Sequence, residues 1–178
     1  MNSVFYRLLS LLFMIFSILL LAEERGFAQT LNRLVSKELN QRLTAISLEG
    51  DSVSFSDLLG KDGKAVCFAF LHPDCPLTQK YEPVLSEIAT KSAPPGVKIV
   101  GVVCEYDSVK EITDYQSEFS TTFPLFTDKS FDLAKTLNAR VTPEVVLVDS
   151  TGRVRYQGRI DDLYRVRGEK NPEIRYRN

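Results

Sequence analysis

Residues 65–85 read AVCFAFLHPDCPLTQKYEPVL, and the pattern changes twice along them. AVCFAFL is apolar without interruption and follows the turn Lys61-Asp62-Gly63-Lys64. A run that is apolar at odd and even positions alike suits a central strand covered on both faces. From Pro76 onward the period becomes helical. Leu77, Tyr81, Val84, Leu85 and Ile88 fall on one stripe, which predicts a helix over 76–91. Pro83 stands inside that helix and predicts a kink.

Cys75 sits at the junction of strand and helix. A helix N-terminus has unpaired N–H groups and the positive end of the macrodipole, and both stabilise an anion. A thiolate is such an anion, so this position lowers the thiol's pKa. Pro76 suits the first helical turn, where a missing N–H is no loss. Thr78 stands one turn on, so its hydroxyl can donate to the sulfur. Cys67, inside the apolar run, reads as a small buried hydrophobe.

Working outward, VKIVGVVC at 97–104 is a second buried-strand run, and Cys104 ends it on the same sheet edge as Cys75. Residues 44–48 and 52–55 read as short strands around Glu49-Gly50-Asp51, and Ser54 to Leu59 as a short turn or helix closed by Gly60. Residues 108–119 return to helical spacing through Val109, Ile112, Tyr115 and Phe119. A strand is expected at 123–126, then a helix from a Ser130 cap to about residue 139. Val145 to Asp149 and Val154 to Arg159 form a closing hairpin around Ser150-Thr151-Gly152. Strands alternating with helices, then a hairpin, indicate an α/β sheet with two parallel strands joined by a crossover.

The chain's 178 residues suggest one domain plus an appendage. Residues 1–28 read as a signal peptide: Arg7 precedes an apolar core at 8–22, and Gly26-Phe27-Ala28 offers small residues at the cut. A retained N-terminal anchor is the alternative, and either places the rest outside the cytoplasm. Residues 29–43 form a linker or short amphipathic helix, with Leu31, Leu34, Val35 and Leu39 on one face. The domain spans 44–163, and 164–178 is a polar basic tail, either a surface tail or a truncated continuation of a longer chain.

Composition removes several function classes. A formal net charge of −1 lacks the footprint of a nucleic-acid binder. A single His argues against a His-rich metal site and a Ser-His-Asp triad, and three Cys are too few for a disulfide scaffold. Cys67, His72, Cys75 and Cys104 have the ligand types for zinc but no paired C-x₂-C knuckle. No metal and no cofactor are expected.

Cys75-Pro76-Leu77-Thr78, with Pro83 eight residues after Cys75, resembles the active-site helix of thioredoxin-like proteins. Val141-Thr142-Pro143, followed by EVVLVD and STG, resembles the cis-proline loop and closing hairpin of the same fold. SLEGDSVSFSDLLGKDGKAVCFAF resembles the N-terminal extension of the redoxin branch, which includes the alkyl hydroperoxide reductase/thiol-specific antioxidant group. DCPLTQKYEPVL and RVRYQGRIDDLY together look like a secreted bacterial redoxin subgroup. The resemblance implies a thioredoxin-like three-layer sandwich: a mixed central sheet, helices on both faces and a redoxin-type extension. The sequence departs from it at two places. Thr78 stands where thioredoxins carry a second Cys. His72 and Pro143 stand where peroxiredoxins carry Thr and Arg.

The resemblance implies an extracytoplasmic thiol–disulfide oxidoreductase acting through one thiol. Cys75 attacks, Thr78 stabilises the thiolate, and His72 holds it as an imidazolium or moves a proton. Pro76, Thr142 and Pro143 face the substrate, a protein or small-molecule disulfide. An external thiol resolves the intermediate unless Cys104, the candidate resolving thiol, reaches it. Two alternatives stay open: a one-Cys peroxidase, and a non-catalytic interaction module of a longer redox protein.

Overall fold

The computed structural model describes Glu38, residues 42–105 and 108–161, and the backbone of 164–166 and 169–170. The segment expected at 1–28, most of 29–43 and the side chains of 164–178 lie outside the described residues. Seven strands form one sheet: β1 (Thr44–Ser47), β2 (Ser52–Ser54), β3 (Ala65–Leu71), β4 (Val97–Cys104), β5 (Leu125–Asp128), β6 (Glu144–Asp149) and β7 (Val154–Gly158). Their order is β2-β1-β5-β4-β3-β6-β7. β3, β4 and β5 run parallel, while β1, β2, β6 and β7 pair antiparallel at the flanks. Tyr164–Val166 (β8) and Glu169–Lys170 (β9) form a separate two-stranded ladder.

The helices are α1 (Phe55–Leu59), α2 (Pro76–Glu87), α3 (Val109–Glu118) and α4 (Asp132–Thr136). Alternation along the central strands sends side chains to two cores. Val66, Phe68 and Phe70 of β3 join Val100, Val102 and Cys104 of β4 on one face, against Phe55 and Leu58 of α1 and Leu133 and Ala134 of α4. Ala69, Leu71, Ile99 and Val103 join Leu85 of α2 and Ile112 and Tyr115 of α3 on the other. The expected mixed sheet with helices on both faces is what the chain forms. Cys67 and Cys104 therefore point to opposite faces.

Local chemistry sets the element ends. Ser54 caps α1 through a capping box, its Oγ accepting from the Asp57 amide at 3.3 Å while the Asp57 carboxylate accepts from the Ser54 amide at 3.3 Å. α2 runs through Pro83, which is exposed, and leaves α geometry afterwards in a π-helical turn at Ile88–Ser92. The Thr90 hydroxyl donates to the Ser86 carbonyl there, at 2.8 Å. The buried face of α2 is more polar than the stripe suggests: Thr78, Tyr81, Glu82, Leu85 and Ser86. Val109, expected on the buried face of α3, is 40% exposed.

Two elements start two residues later than expected. β5 covers 125–128 rather than 123–126, because Pro124 has no N–H for the ladder; its carbonyl instead accepts from the Gly101 amide at 2.9 Å. α4 covers 132–136 rather than 130–139, and Ser130 does not cap it. The Asp128 carboxylate, at the end of β5, accepts from the Leu133 and Ala134 amides at 3.2 and 2.8 Å. A side chain fixed by the sheet thus does the work expected of a local hydroxyl.

Gly101 lies where β4 passes under Leu125 and Phe123. A Cβ there would overlap the Leu125 side chain and stand 2.9 Å from Phe123 Cε2. Gly101→Ala should therefore destabilise the fold by about 1–3 kcal/mol through overpacking. The urea unfolding midpoint measures this, and an unchanged midpoint would contradict the packing described.

Candidate active site

β3 ends at Leu71, and the four residues that follow turn the chain into α2. The Cys75 amide closes that turn on the His72 carbonyl at 2.9 Å, and the Gln79 side-chain amide braces it on the Pro73 carbonyl at 2.8 Å. Cys75 is the N-cap of α2, with extended backbone at φ −77° and ψ 116°, and Pro76 occupies the first turn. The thiol is half-buried. It donates to the Thr142 carbonyl at 3.4 Å, and it lies beside the Leu77 and Thr78 amides of the first helical turn. The Thr142–Pro143 peptide is cis. The two motifs read from the sequence thus face each other across the end of the sheet.

Thr78 is fully buried beneath the thiol. Its Oγ1 accepts from the His72 amide at 3.4 Å, which leaves its O–H to donate. Burial is the largest single influence on the Cys75 thiol and raises it. The amides of Thr78 and Leu77, then the side chains of Thr78 and Thr142, together outweigh it, and the thiol falls below its ordinary value of 9.0. A thiol lowered in the fold stabilises the native state above its unfolded value. That contribution is lost as pH falls through the lowered one.

The other two thiols have the opposite fate. Burial pushes Cys67 up to about 11. Burial, then the charges of Asp128 and Glu105, push Cys104 up to about 12. All three cysteines are free. The His72 Nδ1 accepts from the Asp74 amide at 3.3 Å, within the same turn. Among the described residues no cluster of His, Cys, Asp and Glu could hold a metal ion.

One buried pair was absent from the sequence reading. Glu82 is fully buried in α2, and its Oε2 accepts from the Tyr115 hydroxyl at 2.7 Å, while its Oε1 has no partner. Burial, then Glu82, then the charge of Cys75 raise the Tyr115 hydroxyl, so it stays protonated. The spacing held the signal: Glu82 follows Thr78 by four residues and so shares its helix face.

A mixed sheet with helices on both faces, a thiol capping the helix after β3 and a proline loop opposite define a thioredoxin-like protein. The chain belongs to the AhpC/TSA family, whose model matches residues 36–157. It is similar in structure to a secreted Mycobacterium tuberculosis disulfide oxidoreductase homologous to E. coli DsbE. That match has 25% identity and a TM-score of 0.53, and covers 64% of this chain and 80% of that one. MTB dsbF matches at 26% identity and a TM-score of 0.54, over 64% of this chain and 81% of its own. A thioredoxin-like protein from Aeropyrum pernix shares the fold at 15% identity and a TM-score of 0.58, over 77% and 89%. No curated protein sequence matches the chain. Among the described residues no helix is long and apolar enough to cross a membrane.

Alkylation of Cys75 by iodoacetamide should reach half its maximal rate below pH 9.0. Thr78→Val should move that midpoint up, because a donor to the thiolate is lost, and Thr78→Ser should hold it in place. A wild-type midpoint at or above 9.0 contradicts the electrostatics described.

Proposed function

We propose that this chain is an extracytoplasmic thiol–disulfide oxidoreductase that works through Cys75 alone. The observation that carries this reading is the thiol itself: half-exposed at a helix N-terminus, lowered in pKa and 3.4 Å from the Thr142 carbonyl, with Thr78 where a second thiol would stand. The disulfide oxidoreductase named among the similar structures, described as secreted, supports both the chemistry and the location. The apolar segment at 8–22 is the address that exports the domain at 44–163.

The Cys75 thiolate attacks one sulfur of a substrate disulfide. A bond forms between Cys75 and that sulfur, the substrate's S–S bond breaks, and the second substrate sulfur leaves as a thiolate that takes a proton from water. The loop from Thr142 to Pro143, with Pro76, flanks the mixed disulfide. An external thiolate then attacks the substrate sulfur and leaves with it as a new disulfide, and the Cys75 thiolate is regenerated. Cys104 is a poor resolving thiol here, because it is buried and remains a thiol at neutral pH. His72 and Thr142 both line a cleft of about 250 Å³ beside the site.

Thr78→Cys tests the mechanism. It places a thiol one turn from Cys75, so the variant should form an internal disulfide and release its substrate without added thiol. Wild type should accumulate the substrate adduct, trapped under non-reducing conditions. Cys75→Ser should form no adduct, whereas Cys67→Ser should form it at nearly the wild-type rate. Equal release by wild type and Thr78→Cys would show another resolving route and sink the single-thiol mechanism.

A further inference from the structure

We propose that Glu144 is a positioning residue for the exchange reading above, on which this role rests: its buried carboxylate closes the loop that carries Thr142 and so holds Thr142 against the Cys75 thiol. The strand pattern marks Glu144 out. β6 reads EVVLVD, and its pairing with β3 sets Glu144 opposite Phe70, Val146 opposite Phe68 and Val148 opposite Val66. Alternation therefore sends all three β6 side chains to one face. Val146 and Val148 are fully buried there, in the core that holds Phe68 and Phe70. An apolar residue would complete the pattern at 144. The chain instead buries a carboxylate, which is costly unless hydrogen bonds replace its water.

Those bonds all go to the loop or its brace. Glu144 Oε2 accepts from the Arg140 backbone amide at 2.7 Å. Oε1 accepts from the Gln157 side-chain amide at 3.2 Å, and the same nitrogen donates to the Asn138 carbonyl at 2.7 Å. The carboxylate thus ties the start of the loop to its end, while Gln157 of β7 ties both to the neighbouring strand. Between the two ends lie Val141, Thr142 and Pro143. Val141 is 63% exposed, and Thr142 and Pro143 are half-buried, so packing alone holds this stretch weakly.

Thr142 is where that stretch meets the chemistry. Its carbonyl receives the Cys75 thiol at 3.4 Å, and its side chain is among the groups that lower the thiol. Both contacts depend on where the loop stands, and Glu144 sets that from outside the reacting centre. The ionisable groups around the thiol are His72 and Asp74 of its own turn, Arg140 of the loop, and the Glu82–Tyr115 pair of α2 and α3. A substitution at Glu144 changes none of these side chains, so a shift in the thiol reports the loop.

The test reads Cys75 in two ways. One is the pH midpoint of its alkylation by iodoacetamide. The other is its exchange with 5,5′-dithiobis(2-nitrobenzoate), in which a bond forms to the Cys75 sulfur as one thionitrobenzoate leaves as a thiolate. Glu144→Leu takes the acceptor from the Arg140 amide, and its midpoint should rise toward 9.0. At a pH where the thiol is ionised in every variant, its exchange should slow about tenfold while its alkylation rate holds. Glu144→Gln keeps an acceptor for Arg140 and should stay near wild type in both readings. Adding Thr142→Val to Glu144→Leu should move the midpoint no further, because both changes remove the same contact. Gln157→Ala should shift both readings in the same direction as Glu144→Leu, and decides the matter where Glu144→Leu does not fold. Unchanged readings in the deciding variant, or additive shifts in the double variant, overturn the positioning role. A wild type that is alkylated at Cys75 but does not exchange with the disulfide overturns the exchange reading instead, and the midpoints still decide the role of Glu144.

Discussion

Cys75 can stand at an exposed helix end because β3 is buried on both faces. Val66, Phe68 and Phe70 are locked into one core and Ala69 and Leu71 into the other, so the strand has no freedom to shift register. A slip of one residue would exchange the two sets. The loop that leaves Leu71 therefore starts from a fixed point, and its own hydrogen bonds at His72, Pro73 and Thr78 aim the first turn of α2. The position of the thiol follows from strand packing, with little left to the loop.

The three cysteines share one chemistry and differ in their surroundings. Cys67 meets apolar side chains, which solvate an anion poorly, and its thiol is pushed up. Cys104 adds two carboxylates to the same burial and is pushed further. Cys75 meets amides and hydroxyls, and is the one thiol of the three that is lowered. Nucleophilicity in this chain is therefore a property of backbone geometry at one helix end.

Legibility in the sequence tracked how local the cause was. β3 and β4 match their apolar runs to the residue, because burial on both faces leaves no ambiguous edge. The pairing of Cys75 and Thr78 with the Thr142–Pro143 loop was legible only through the family resemblance that the two motifs carry, since nothing local links residues this far apart. α4 was not, because its cap is Asp128, delivered from a strand end rather than from the preceding loop. Glu82 escaped notice because a carboxylate on a helix face ordinarily signals solvent, and only the Tyr115 hydroxyl gives it a reason to be buried. The cleft was invisible for a related reason: its lining comes from β3, the end of β4, α4 and the loop before Pro143, and no single window of sequence contains it.

The thiol and the carbonyl that receives it are 67 residues apart along the chain. They meet only because β6 pairs antiparallel with β3, matching Phe70 to Glu144 at the end nearest the site. Any partly assembled chain that lacks β6 keeps the helix end but loses the opposing loop. Such a chain offers a thiol with no substrate platform beside it. A contact this long in sequence is closed late and slowly compared with helix formation. The last central strand to be translated therefore completes the site, and a newly made chain has only half of it until that strand docks.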